Sequence, residues 1–405
     1  MLTSTLPRWE GDTEPRFVLD LARSLSPDAQ VELLAPHTPG AARAETLEGI
    51  PVQRYRYWIP RWQAAAYQGG MTQRLRENPW RLFQLPTFFL SQLWAITRRL
   101  RREPAIDLIH AHWLIPQGLI AILARALAGR RHIPVICTSH GGDLFALRGR
   151  WMTRLKRWVV SHCDATTVVS PAMVEPLQAL KPRSPPVVIP MGTDLQGLFT
   201  PGDNNTARQD KHLVFVGRLV EKKGLSGLLE ALAQFGEDER PTLDIIGDGP
   251  LRPQLETLAR KLDLDSSVHF LGATPHAQLP AHYRKASIAV FPFVEAADGD
   301  QEGFGLVIVE AMGCGCAVIA SDLPAIRHAI PSPDHGLRPT PGDCHALLRD
   351  IRSLLADKTL KDRLACQGRQ HALAHFDHAS TRDAFLGVYR NLAPGRGSVP
   401  PRSSA

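Results

Sequence analysis

Residues 299–322 read GDQEGFGLVIVEAMGCGCAVIASD. The opening residues are small and acidic, which suits a loop. Gly303-Phe304-Gly305 then leads into Leu306 to Met312, a run that continues as a helix, and Ala317 to Ser321 has the pattern of a short buried strand ended by Asp322 and Pro324. Two glycines ahead of a helix let backbone approach a ligand closely, and the helix N-terminus offers unpaired N–H groups and a positive dipole end. A phosphate fits such a place. Glu302 stands before the helix and Glu310 roughly two turns beyond it, so both could face one ligand. Taken alone, the stretch also fits a surface loop followed by an ordinary helix with a solvated glutamate.

Working outward, the second half alternates strands and helices. A polar, turn-rich stretch from Thr200 to Asp210 precedes it and reads as a linker. Strands are expected at Leu213–Arg218, Leu243–Ile246, Val268–Gly272 and Ile288–Pro292, with helices over Leu225–Phe235 and Leu251–Leu262. The first half runs through a similar series. Its strands are expected at Leu2–Leu6, Val31–Ala35, Val52–Tyr57, Ile106–His112, Val135–Ser139, Asp164–Ser170 and Val187–Gly192, with helices after Phe17 and over Gly118–Ala128. The brevity of the first strand fits a start upstream of Met1. Two successive alternating series predict an α/β chain of two Rossmann-like, doubly wound parallel-sheet domains facing across a cleft. The expected division is 1–195, a linker at 196–211, a second domain at 212–377 and a helix at 378–393 crossing back to the first domain. Residues 394–405 read as a disordered Pro/Gly/Ser/Arg-rich tail.

Bulk properties narrow the class. A chain of 405 residues with 44% hydrophobic and 21% charged residues has the composition of a two-domain globular protein. Its net charge of +7 permits an anionic partner, but no RNA-recognition motif supports a nucleic-acid partner. Six scattered cysteines make no disulfide framework, and the Cys314/Cys316 pair has no second pair at zinc spacing. No secretory signal follows Met1 and no apolar run reaches the roughly eighteen residues of a membrane span, so a cytoplasmic location is expected.

Three further features carry chemistry. His110 and His112 alternate on a strand and point the same way, which suits metal binding, but no third ligand accompanies them; structural or substrate-polar roles fit better. His140-Gly141-Gly142-Asp143 ends another strand, where open α/β sheets place their sites. Arg218 and Lys223 share a short loop beside Gly217 and Gly224, two cations able to clamp a diphosphate. A fourth region, Arg54 to Arg102, interleaves aromatics such as Trp62, Trp80, Phe83 and Trp94 with arginines, and Glu77 is its lone acid. It fits either helices packed in the core with solvated arginines or a surface resting on an anionic membrane.

The segments GRLVEKKG (217–224), IIGDGPL (245–251) and EGFGLVIVEAMGCGCAVIASD (302–322) resemble retaining glycosyltransferases of family four, which have the GT-B fold. The resemblance extends to HGGD at His140, VIPMGTDL (188–195) and PRWEGDTEPRFVLDLA near the start. It implies that Arg218 and Lys223 neutralise a donor diphosphate, with Gly217 beside them. Glu302 would orient the transferred sugar, assisted by backbone N–H groups of Gly303, Phe304, Gly305 and Leu306. Glu310 would accept hydrogen bonds from the ribose, and His140 would contact the sugar. Gly11 stands where that family has a glycine loop, although Glu10-Gly11-Asp12 departs from its usual adjacent glycines.

The function so implied is transfer of a hexose from a nucleoside-diphosphate sugar, UDP- or GDP-linked, to a glycan or lipid-linked acceptor in cell-envelope polysaccharide, lipopolysaccharide or exopolysaccharide assembly. No metal and no cofactor beyond the donor substrate is expected, and peripheral contact with the inner membrane surface is. Two alternatives share the fold: a nucleotide-sugar epimerase, whose acids and histidines differ, and a non-catalytic nucleotide-sugar-binding protein.

Overall fold

A computed structural model describes residues 1–63, 66–67, 78–202 and 208–393, which group into two compact units. The expected tail and part of the expected linker, residues 203–207, lie outside the described residues.

The first unit takes residues 1–169, 173–190 and the chain from Thr381 onward. Met1 to Thr3 lies between β1 (Leu33–Pro36) and β4 (Ile109–His112), with Leu2 bridged in parallel to both Leu34 and Ala111. Only Leu2 forms strand contacts where Leu2–Leu6 was expected. Ala44–Leu47 (β2) pairs antiparallel with Ile50–Tyr55 (β3), which runs parallel to β1. On the other side, β4, β5 (Val135–Ser139), β6 (Ala165–Val168) and β7 (Val187–Val188) continue in parallel order. Four helices of the unit are α1 (Phe17–Leu25), α2 (Leu85–Arg102), α3 (Leu119–Leu127) and α4 (Arg150–His162). α1 turns Val18, Leu19 and Ala22 onto Leu33, Ala35 and Val52 of the sheet, the ordinary burial of an amphipathic stripe.

The aromatic region divides. Tyr55, Tyr57 and Phe88 are buried together, with Phe88 edge-on to both tyrosines. Arg54 is buried as well, paired with Glu45 and donating to the Pro7 carbonyl at 2.7 Å. Trp62, Trp80, Phe83 and Trp94 are exposed.

The second unit, essentially residues 191–380, is built on a five-stranded parallel sheet. Its order is β10 (Val268–Gly272), β9 (Thr242–Ile246), β8 (Gln209–Val216), β11 (Ala286–Phe291) and β12 (Ala317–Ala320). β11 and β12 are buried throughout, and β8 is buried from His212 to Val216 after an exposed polar start at Gln209–Lys211, as a parallel sheet covered on both faces requires. The covering helices include α5 (Leu225–Leu232), α6 (Arg252–Lys261), α7 (Leu279–Lys285), α8 (Leu306–Gly313), α9 (Cys344–Ala356) and α10 (Lys358–Phe376). The segment before β8 is bound into this unit: Leu195 and Phe199 are fully buried, and Arg284 donates to the carbonyls of Leu198 and Thr200. α11 (His378–Leu392) places Phe385 and Leu386 against Leu21, Leu25 and Ile189 of the first unit.

Candidate active site

In the second unit the parallel strands deliver their loops to one end, the carboxyl end, where a doubly wound sheet collects its functional groups. β8 runs into Gly217 and Arg218 and then a single turn, Glu221–Lys223. Gly224 follows with φ +65°, and a Cβ there would lie 1.8 Å from the Pro292 carbonyl oxygen. Only glycine lets this turn close on the loop after β11. That approach is fixed by the Val294 N–H, which donates to the Lys222 carbonyl at 2.9 Å. β9 ends in a similar constraint, since a Cβ on Gly247 would lie 1.9 Å from the Gly217 carbonyl oxygen.

These contacts put Lys223 beside the glycine-flanked segment. Its Nζ donates to Glu302 Oε2 at 2.7 Å and sits 4.4 Å from the centre of the Phe293 ring. Lys222 pairs with Asp300 at 3.1 Å. Burial pushes the Glu302 carboxyl up, but the charges of Lys223 and Lys222 and the Gly305 N–H outweigh it and hold it at about 2. Glu302 is therefore an anion at any physiological pH, with one oxygen directed to Lys223. Arg218 is half-buried in the same loop.

Gly305 caps α8 with φ +83°, and no side chain caps the helix. Leu306 and Val307, half-buried residues, open its first turn, whose N–H groups point as those of a helix N-terminus do. Phe304 is fully buried and anchors the segment from behind by edge contact with Phe376, ring centres 5.3 Å apart. Glu310, two turns on, is 3% exposed. Its oxygens accept from the Tyr283 hydroxyl at 3.2 Å and meet His276 Nε2 at 3.2 Å. A carboxylate has about four acceptor positions, so these two contacts orient Glu310 and leave acceptor capacity for a hydroxyl-bearing ligand.

His140 and Gly11 belong to the first unit. Gly11 is exposed in a turn with φ +79°. His140 directly follows β5, its Nε2 3.0 Å from His112 Nδ1 and its ring 4.8 Å from Phe17 and 5.1 Å from Trp113. Burial lowers His140 to about 3, and it drives His112 and His110 well below the ordinary histidine range. All three are neutral imidazoles. His110 and His112 do point to one side, with rings stacked 4.3 Å apart, and among the described residues no group of three or more His, Cys, Asp or Glu is placed to hold a metal. Asp143 of the same motif is structural: it accepts from the Leu114 N–H at 2.7 Å and the Ser139 hydroxyl at 2.8 Å.

Sequence reasoning thus found Lys223, Glu302 and the glycine-framed helix start, which the fold brings together. It missed Phe293, Tyr283 and His276, which position Lys223 and Glu310, and Phe17 and Trp113, which flank His140. Trp113 carried no local sign of its backbone, φ +77°, a conformation rare for a bulky residue.

Residues 15–196 match the family model described as Glycosyltransferase Family 4, and residues 200–371 match that of the Glycosyl transferases group 1. A D-inositol 3-phosphate glycosyltransferase of Geodermatophilus obscurus is 30% identical over 350 residues, covering 77% of this chain and 74% of that protein. The chain belongs to glycosyltransferase family 4. Among solved structures, this family 4 glycosyltransferase resembles sucrose-phosphate synthase from Thermosynechococcus elongatus, with TM-score 0.74 and 23% identity over 93% of this chain and 92% of that one. It also resembles Anabaena HepE solved with UDP-glucose, with TM-score 0.73 and 18% identity over 96% and 98% of the two chains. At these identities the likeness is one of fold: the family 4 glycosyltransferase has the two α/β domains of the GT-B class.

Proposed function

We propose that this glycosyltransferase is a retaining hexosyltransferase that uses a UDP- or GDP-sugar and a glycan or lipid-linked acceptor. Its place is the cytoplasmic face of the membrane, in assembly of an envelope polysaccharide, lipopolysaccharide or exopolysaccharide. The observation that carries the reading is the Lys223–Glu302 pair beside the N-terminus of α8, which no side chain caps, with Arg218 in the same loop. Breaking the anomeric C–O bond builds negative charge on the departing diphosphate and positive charge on the sugar ring. Arg218, Lys223 and the helix N-terminus meet the first, and the ionised Glu302 faces the second. In same-face substitution, the acceptor oxygen forms the new bond to the anomeric carbon while its proton passes to the departing phosphate oxygen. No side-chain base is assigned, and His140, a neutral imidazole, contributes hydrogen bonding to the sugar. The cations supply the charge that a divalent metal would otherwise bring, so the reaction proceeds without one. A UDP-glucose complex of the structurally similar HepE supports a nucleotide-sugar donor.

Thermal melting with UDP, GDP or ADP, each with and without EDTA, tests this. One nucleotide in hundredfold excess over its dissociation constant is expected to stabilise the protein by about 2.7 kcal/mol. EDTA should leave the shift intact and Lys223→Ala should abolish it. No shift with any nucleotide would overturn the donor reading.

A further inference from the structure

α2, α3 and α4 lie side by side in the first unit, α2 against α3 and α3 against α4. α4 reads RWMTRLKRWVVSH, and its inward face is Lys156, Val159 and Val160. Lys156 is spent internally, its Nζ donating to the Leu144 carbonyl at 2.8 Å. The outward face holds Trp151, 79% exposed, and Trp158, with exposed Arg150, Arg154 and Arg157 around them. Arg154 lies 5.3 Å from the centre of the Trp151 ring. No carboxylate occurs between Asp143 and Asp164.

α2 repeats the composition. Leu90, Trp94, Arg98 and Arg102 recur every fourth residue on its exposed side, and Arg98 lies 5.0 Å from the centre of the Trp94 ring. Just before the helix, exposed Trp80 stacks on exposed Phe83 at 5.5 Å. Gln84 donates to the Trp62 carbonyl at 2.9 Å and brings a further exposed tryptophan to the same place. Residues 78–102 contain no acid.

Large aromatics left in water beside arginines, with no acid interspersed, match the headgroup level of a bilayer. There the ring inserts at the polar–apolar boundary and the guanidinium meets lipid phosphate. A second copy of the same face fits poorly, because a self-complementary contact would set arginine against arginine. We infer that the first unit seats on an anionic lipid bilayer through the outward face of α4, with the arginine–aromatic stripe of α2 beside it. The inference deepens the transferase reading by naming the surface at which a lipid-linked acceptor is met, since α4 follows His140 and its short helical turn directly in the chain.

Vesicle flotation tests it, using phosphatidylcholine alone and phosphatidylcholine with phosphatidylglycerol. The samples are wild type, the double variant Trp151→Ser/Trp158→Ser and the double variant Arg154→Glu/Arg157→Glu, each checked by thermal melting with and without nucleotide. Wild type is expected to float with anionic vesicles only and to be released by salt. Each double variant should lose about tenfold or more of its vesicle partitioning while keeping its melting temperature and its nucleotide shift. The inference is overturned if wild type fails to float at low salt, if the variants float undiminished, or if light scattering shows a dimer that the variants dissociate. Wild type that fails to float yet keeps its nucleotide shift sinks the membrane surface alone, whereas wild type that floats but shows no nucleotide shift sinks the donor reading alone.

Discussion

Lys223 and Glu302 show how one pair serves two ends. Each half-buried charge has the other as its near partner, and the pair gathers two loops that are 79 residues apart in the chain. Removing Glu302 leaves Lys223 beside the Phe293 ring without the carboxylate it donates to. Because the folded Glu302 carboxyl stands at about 2 against an ordinary 4.5, its stabilisation is fully present above pH 4.5 and is lost as the pH falls through 2. Glu302→Gln is therefore expected to cost on the order of 2 kcal/mol at pH 6, with the gap from wild type roughly halved at pH 3, as read by urea unfolding at the two values. Transfer should fall by about a hundredfold or more in the same variant, measured as nucleotide release with acceptor present. A loss of rate without the pH-dependent stability gap would separate the sugar-facing role from the pairing with Lys223. Glu310 teaches the opposite lesson about legibility. Its spacing from Glu302 was plain in the sequence, but its orienting partners Tyr283 and His276 come from elements 27 and 34 residues earlier, and nothing local announced them.

At the scale of elements, what was legible followed buried apolar periodicity. Val135–Ser139 and Val268–Gly272 appear with the bounds read from their runs, and the helix after Gly305 begins at Leu306. Glycines marked the close approaches at Gly224 and Gly305. Ala44–Leu47 escaped because an exposed antiparallel edge strand carries no apolar alternation: its burial is confined to Leu47. α4 escaped because its outward face is arginine and tryptophan, so the stretch reads neither as a core helix nor as a polar one. The turn at Gly224 supplies the prediction at this scale. Gly224→Ala would force a Cβ against the Pro292 carbonyl at a positive φ, and should destabilise the second unit by about 3 kcal/mol or more. Gly11→Ala, with nothing within 4 Å of the added carbon, should cost only about 1 kcal/mol. Denaturant melts of the two variants provide the comparison.

For the whole molecule, the last helix matters more than its position suggests. Phe385 and Leu386 cover Leu21, Leu25 and Ile189, and Tyr389 meets His110 Nδ1 at 2.7 Å. A chain cut after Asp377 would strip that cover and leave the buried His110 short of one partner. The expected outcome is a first unit destabilised by several kcal/mol, given the usual 1.5–3 kcal/mol for each large apolar side chain. Amide exchange should show the loss in α1 and β4 first, with the sheet of the second unit left protected. This contact joins the first helix, α1, to the last described one, α11. On the ribosome the second unit can therefore finish before the first, because the first waits for the closing residues to clear the exit tunnel. Until then, Leu21 and Leu25 of α1 lack their cover in a nascent chain, and any helper that guards this protein during synthesis has that edge of the helix to hold.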